Sequence, residues 1–277
     1  MHNASATNLN IVTVIQTRMG SSRLPGKVLL PVIGSPLFVQ QVRRVRAAKL
    51  AGTIVVATTT DVADDIIETI CNSEDILCYR GHATDLLDRH YQVGMMYKAD
   101  AVIKIPSDCP LIDPAVIDKV IGVYLDNAGQ YDYVSNLHPA TYPDGNDVEI
   151  MHFNVLQEAW INARRALERE HATPYIWEHP GQYRIGNVVM DGHPDYSMEH
   201  RFTMDYEEDY LFIKAVYEAL YENNPLFSVT DILALLEERK DIYALNRQWA
   251  GVNWYRHHLD ELKTITPQQT KILTTEV

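Results

Sequence analysis

Through the first 110 positions, short apolar runs alternate with helical patterns. "NIVTVIQ" (10–16) and "TIVVATT" (53–59) are β-branched and too short for helices, so they predict strands. "ILCYRG" (76–81) and "AVIKIPS" (101–107) predict two more. Between them, "PLFVQQVRRVRAAK" (36–49) places apolar residues at helical spacing, with cations towards its C-terminal end. "VADDIIETICNS" (62–73) is an acidic-first helix, and "DLLDRHYQVGMMYKA" (85–99) an amphipathic one. Such alternation predicts an α/β fold with a mostly parallel, mixed sheet flanked by helices. Ligands of these sheets lie at the carboxyl ends of the strands. The stretch after the first strand, "TTTD" (58–61) and "SDCP" (107–110) are therefore expected to converge.

The second half is less regular. "YDYVSN" (131–136) and "DVEIMHF" (147–153) read as strands around a turn-rich segment, and "RIGNVVM" (184–190) as another. Helices are expected over 155–171, 207–223 and 229–246. The chain from 247 to 277 is polar with scattered Trp and His, and residues 1–9 read as a flexible N-terminal tail. The domain reading is a single unit over 10–246, with an insertion at about 131–200 and a C-terminal extension over 247–277.

Composition narrows the function. The 277 residues carry 24 Lys+Arg against 37 Asp+Glu, a net charge of -13 that argues against general nucleic-acid binding. No run approaches the roughly 18 apolar residues of a membrane span, and "MHNASATNLN" has no signal-peptide pattern. Cys71, Cys78 and Cys109 lack metal-ligand spacing and read as reduced thiols of a cytoplasmic protein.

Against that acidic background, "QTRMGSSRLPGKVLL" (16–30) packs Arg18, Arg23 and Lys27 into one loop. A Walker loop has four residues between its first Gly and Gly-Lys, followed by Ser or Thr. Here five separate Gly20 from Gly26, and Val28 follows Lys27. The spacing fits no standard nucleotide loop, yet the chemistry is that of a phosphate cradle. Backbone N–H groups of Gly20, Ser21 and Ser22 can face anionic oxygens, with forked donors from Arg and a mobile charge from Lys.

"QTRMGSSRLPGK" also resembles the signature loop of the cytidylyltransferases that activate sugars. The nearest branch is the spore coat polysaccharide biosynthesis protein F-like family, with the CMP-Kdo and CMP-sialate synthetases as more distant relatives. "YRGHATDLLDRHY", "KIPSDCPLIDPAVID", "YPDGNDVEI", "REHATPYIW" and "HRFTMDYEEDYLFIKAV" resemble that family in its order, covering residues from about 10 to about 246. The resemblance implies a nucleotide-diphospho-sugar transferase fold, similar to the GT-A glycosyltransferases. It also implies a reaction in which CTP and a small-molecule acceptor give a CMP-linked product and pyrophosphate. It further implies magnesium, and a homodimer formed through the insertion.

Carried onto this chain, the resemblance assigns the triphosphate to Arg18, Gly20, Ser21, Ser22, Arg23 and Lys27. It assigns the metal to Asp108, at a strand end before the rigid "CPLIDP", and to Asp205 in "RFTMDYEED". A strand-end Asp suits magnesium, which takes one or two carboxylates plus phosphate oxygens and water. Asp113 reads as a helix cap, Glu207 and Glu208 as first-turn dipole residues, and Asp209 as ambiguous. Arg80 and Asp85 are candidates for the nucleoside, each with an equal claim to a loop-folding role. Asp147, Glu149, Glu170, His171 and Thr173 are candidates for the acceptor. Glu149 equally fits a solvated strand face, and His171 a structural histidine. A glycosyltransferase consuming a sugar nucleotide is the competing enzyme class. It usually carries Asp-x-Asp at its metal, whereas Asp108 is followed by Cys109-Pro110. A phosphonate is an alternative acceptor, and a non-catalytic nucleotide sensor is the third reading.

Overall fold

The computed structural model describes residues 9–192 and 194–273, so the N-terminal tail, Leu9 apart, lies outside the described residues. The strands are β1 (Ile11–Gln16), β2 (Pro31–Val32), β3 (Ser35–Pro36), β4 (Thr53–Thr59), β5 (Leu77–Gly81), β6 (Ala101–Pro106), β7 (Tyr133–Ser135), β8 (Glu149–His152) and β9 (Ile185–Asn187). Seven of them form one sheet in the order β5-β4-β1-β6-β8-β7-β9. Only β8 runs against its neighbours. Because β8 is reversed, its first residue, Glu149, lies at the same sheet edge as the carboxyl ends of β1, β4, β6 and β7. The predicted convergence of strand ends follows from this topology. The short β2–β3 ribbon returns the chain to the first helix.

The helices are α1 (Leu37–Ala47), α2 (Asp65–Ser73), α3 (Leu86–Met96), α4 (Pro114–Asp126), α5 (Phe153–Asn162), α6 (Ala166–His171), α7 (Pro174–Trp177), α8 (Glu207–Leu220), α9 (Val229–Glu238) and α10 (Lys240–Ala244). Helices α1, α2 and α4 cover one face of the sheet, where Ile11, Ile15, Ile103 and Ile105 are buried. On the other face Val12, Val14 and Val102 pack with α3, α5, α6 and α7. Burial on both faces explains why "IVTVI" is continuously apolar rather than alternating. A third cluster joins α8, α9 and α10 to α4 through Phe202, Met204, Phe212 and Val216.

Two expected helices are each broken in two. The helix read over 155–171 stops at Asn162, and Glu168 reaches back to accept the N–H groups of Arg164 and Arg165, both at 2.9 Å. That capping box starts α6 afresh and turns Glu170, His171 and Thr173 towards the sheet edge. The helix read over 229–246 breaks at Arg239 (φ -108°, ψ 74°), which lets α10 bury Ile242 in the third cluster. Periodicity continues across both breaks, so the pattern alone does not reveal them.

The polar C-terminal extension folds back on the domain. Tyr255, Leu262 and Ile265 are buried against the α3 face. The Glu178 carboxylate accepts from Lys263 N–H (2.7 Å) and Thr264 N–H (2.8 Å). Trp249 stacks on Tyr206 and Trp254 on His171, each with ring centroids 3.7 Å apart.

Candidate active site

The basic loop is tied down by its own backbone. Thr17 N–H continues the β1–β4 ladder to Ala57 O at 2.9 Å. Met19 N–H donates to Asp64 at 2.7 Å, and Gly26 N–H returns to Met19 O at 3.1 Å. Gly26 sits at φ 71°, a left-handed position that favours glycine, and it starts the 3-10 turn carrying Lys27. Lys27 is thereby swung inwards: it is buried, and its Nζ donates to Met204 O and, at 2.9 Å, to Asp205. The same Nζ lies 3.9 Å from Asp108 Oδ2.

Asp205 is the meeting point of three cations. Its Oδ1 accepts from Arg23 (2.6 Å) and Lys27 (2.9 Å), and its Oδ2 from Arg201 (3.0 Å). Burial opposes its ionisation, yet these three charges hold its pKa well below the carboxylate range. Arg201 is itself buried, and it also pairs with Asp144 at 3.2 Å and Asp209 at 3.0 Å. Asp209, ambiguous in the sequence, is buried and caps α8 by accepting from the Asp205 and Tyr206 N–H groups. Asp113 caps α4 through Ala115 N–H and also takes Val229 N–H.

A second group of carboxylates is less neutralised. Burial, then the charge of Asp108, pushes Asp147 up to about 7. Burial raises Asp144 as well, against the pull of Arg201. Both flank Gly145, at φ 108°, where a Cβ would come within 2.5 Å of the Phe202–Thr203 backbone. Only glycine lets the 144–147 segment press against residue 202 and bring these acids to Asp108. Among the described residues, no three His, Cys, Asp or Glu side chains form a metal cluster. Magnesium does not require one, since phosphate oxygens and water complete its shell. Crowded acids beside a cationic loop fit such an ion, with Asp108 open to it and Asp205 held by cations.

The candidate residues line two adjoining cavities. The larger, about 1730 Å³ counted to its open mouth, runs from Arg18, Gly20, Ser21, Ser22, Arg23 and Lys27 past Asp108 and Asp205. The second, about 1050 Å³ on the same measure, lies beyond Asp147 over β7 and β8. Lys104, Asp144, Asp147, His171, Asn253 and Trp254 border both. Two adjoining cavities with a shared wall suit two substrates that meet there.

Several candidates are placed differently from the sequence reading. Arg80 is not in the cleft: it pairs with Asp65 and Glu68 and donates to the Thr59 and Asp61 carbonyls. Asp85 is absent from it too, capping α3 through Asp88 N–H and binding Arg169. Glu149 is buried rather than solvated. Its register partner Lys104 pairs with it, and Tyr133 donates to it at 2.6 Å. Burial would raise its pKa, but Lys104 prevails and keeps it low. Glu149 thus faces the second cavity already saturated, beside Thr173. His171 is pushed down to about 3, by burial first and then by Lys104, so it is a neutral stacking partner of Trp254 and a poor base. Glu170 is exposed at the rim. Next to His171, Ala172 (φ 69°) closes a three-residue turn in which Thr173 N–H bonds His171 O at 2.9 Å. Such turns are strained and recur at functional sites.

Sequence reading missed Arg201, Lys104, Asp144, Arg89 and Trp254. Lys104 left a signal, as the one charge in the apolar strand "AVIKIP". The others are selected by tertiary contacts.

The family profile described as "Cytidylyltransferase" matches residues 12–242 of this chain. The chain belongs to the cytidylyltransferase family. Its relatives include the spore coat polysaccharide biosynthesis protein SpsF of Bacillus subtilis, 34% identical over 239 residues, covering 84% of this cytidylyltransferase and 96% of the relative. A 3-deoxy-manno-octulosonate cytidylyltransferase of Trichlorobacter lovleyi is 35% identical over 121 residues, 44% of this chain and 47% of that one. A cytidylyltransferase structure from Leptospira borgpetersenii superposes with a TM-score of 0.80 at 29% identity, covering 85% of this chain and 97% of the other. The family match ends at residue 242, before the segment carrying Trp249, Trp254 and Tyr255. No helix among the described residues is long and apolar enough to cross a membrane.

Proposed function

We propose that this cytidylyltransferase transfers CMP from CTP to a sugar or sugar-acid acceptor, releasing pyrophosphate, in the synthesis of a surface polysaccharide. The observation that carries this reading is the geometry at Lys27. One ammonium lies 2.9 Å from Asp205 and 3.9 Å from Asp108, at the mouth of a loop with two arginines and beside a second cavity. The names of the relatives, a spore coat polysaccharide protein and a sugar-acid cytidylyltransferase, support the acceptor class and the pathway.

In this mechanism the triphosphate replaces Asp205 as the partner of Arg23 and Lys27. The exposed Arg18 adds a third cation from the loop. These charges stabilise the negative charge that builds on the leaving pyrophosphate. Magnesium, held by Asp108 and Asp205, would neutralise the phosphate oxygens when bound. The acceptor enters from the second cavity, and Trp254 at the shared wall keeps bulk water from the α-phosphate. The absence of Asp-x-Asp at Asp108 counts against a glycosyltransferase. A phosphonate remains the alternative acceptor. The reaction is placed in the cytoplasm, where CTP is made.

The test is pyrophosphate release with four nucleoside triphosphates against an acceptor panel. Release with ATP or GTP in preference to CTP would refute the reading. Lys27→Ala is expected to cost about 3 kcal/mol of transition-state stabilisation, about a hundredfold in kcat/KM. Equal turnover by variant and wild type would remove the loop from the mechanism. We also propose a homodimer through residues 131–200, as in the resembled synthetases. Light scattering at micromolar concentration should then give twice the 31.6 kDa chain mass, and the chain mass itself would rule the dimer out.

A further inference from the structure

The second cavity differs in charge from the cleft it adjoins. Arg18, Arg23, Lys27, Arg89, Arg201 and Arg256 all line the cleft, and none of them lines the cavity. Among the described residues, Lys104 at the shared wall is the cavity's one Lys or Arg. Its charge is already matched. It pairs with the buried Glu149, which also accepts from the Tyr133 hydroxyl at 2.6 Å. The two histidines that line the cavity add no cation. Burial pushes His138 down to about 4 and His171 to about 3, so both are neutral at pH 7.

Against this one matched cation the cavity carries Asp144, Asp147, Glu149 and Asp195. Arg201 matches Asp144 at 3.2 Å, but among the described residues no ion pair reaches Asp147 or Asp195. A carboxylate or phosphonate entering the cavity meets like charge, with no guanidinium or unmatched ammonium to offset it. Such contacts exclude a ligand rather than hold it. An acid group beside the reacting oxygen fares no better, because the charges at the shared wall are Lys104, Asp144 and Asp147.

The remaining lining suits a hydroxyl-rich ring. Trp177 and Tyr255 are buried, with ring centroids 6.3 Å apart and planes 74° to each other, and His138 lies against Trp177 at 4.4 Å. The negative face of an aromatic ring attracts the weakly positive C–H groups of a sugar. Ionised carboxylates only accept hydrogen bonds, which hydroxyls and amines supply and ionised acids do not. Asp195 already accepts from the Ser197 hydroxyl at 2.6 Å. Asn253 uses its carboxamide oxygen for Tyr255 N–H at 3.1 Å, and its amide N–H groups can donate to a sugar oxygen. We propose that the acceptor is a sugar bearing no acid group, neutral or aminated, rather than a sugar acid or a phosphonate. The inference rests on the CTP reading above and narrows the acceptor class given there.

The test uses the full chain with magnesium and a non-hydrolysable CTP analogue. Binding is read from the fluorescence of Trp177 and Trp254. The probes are glucose, mannose, glucosamine and N-acetylglucosamine, the matching uronic acids, 3-deoxy-manno-octulosonate and methylphosphonate. The tightest ligand should be a sugar without an acid group, and each such sugar should bind about tenfold or more tightly than its uronic acid. Gln268→Arg, which adds a cation to the exposed edge of the cavity, should narrow that ratio several-fold. Equal or tighter binding of the acids overturns the proposal, as does failure of every non-acid sugar to bind. Faster pyrophosphate release from CTP with the ulosonate or the phosphonate than with any non-acid sugar overturns it too. So does a ratio that Gln268→Arg leaves unchanged, since charge would then not set the preference. Calorimetry with CTP and magnesium alone separates the two readings. A chain that binds no CTP overturns the CTP reading along with this one, whereas one that binds CTP and prefers acids overturns only the acceptor class.

Discussion

Asp108→Asn is expected to reduce pyrophosphate release from CTP to background while leaving the melting temperature near that of wild type. The Asp108 side chain supports little of the fold. Its nearest cation is Lys27 at 3.9 Å, and the contacts that anchor the segment, from Met204 N–H and Thr203 Oγ1, fall on its backbone carbonyl. Losing its charge also relieves Asp147, whose pKa it helps to raise. Asp205→Asn should be equally inactive, but for that variant stability should fall too. Arg23, Lys27 and the buried Arg201 would keep their charges around a neutral amide. Breaking a buried ion cluster in this way costs about 3 kcal/mol. EDTA should reproduce the loss of turnover of both variants and the melting shift of neither. Turnover near wild type at saturating magnesium in one variant would strike that residue from the metal site. Equal melting temperatures would show that Asp205 does not hold the loop as described.

The sheet was legible because its strands are buried on both faces, so "IVTVI", "TIVVATT" and "AVIKIP" need no partner to declare themselves. The loop was legible because three cations in an acidic chain have few other reasons to cluster. Legibility fails where a side chain's partner decides its role. Arg80 resembles a nucleoside contact by position, but Asp65 and Glu68 lie one helical turn apart on α2 and claim it. Arg89, nine residues on, forms no ion pair among the described residues and lines the cleft. Glu168 breaks a helix whose periodicity is intact by turning its carboxylate back onto the Arg164 and Arg165 N–H groups. The C-terminal extension looked like a polar tail because its apolar residues, Trp249, Trp254, Tyr255, Leu262 and Ile265, are too scattered for a helix or strand pattern. They are anchors for an irregular segment, and only the surface they meet gives them meaning.

That surface leads to the other large effect. Truncation after Asn246 is expected to abolish turnover and to lower the melting temperature, although the family match ends at residue 242. The extension supplies Asn253 and Trp254 to the wall between the cavities, Arg256 and His258 to the nucleotide side, and Gln268 and Gln269 to the acceptor side. His258 pairs with Glu261 at 2.8 Å and faces His171. Removing the segment leaves the buried Glu178 without its donors from residues 263 and 264. It also deprives Arg201 of the Val252 carbonyl at 2.8 Å, loosening the hub that positions Asp205. Trp254→Ala should separate the wall from the scaffold, because Tyr255 and Leu262 still pin the segment. Its melting temperature should stay within a few degrees of wild type, while kcat/KM with any acceptor used by wild type falls about tenfold or more. Retention of wild-type turnover by the truncated chain would show that the extension is dispensable to the site. The mass in solution gives an independent reading. If residues 131–200 carry the dimer, the truncated chain still scatters as a dimer, and a monomer would move the interface to the extension.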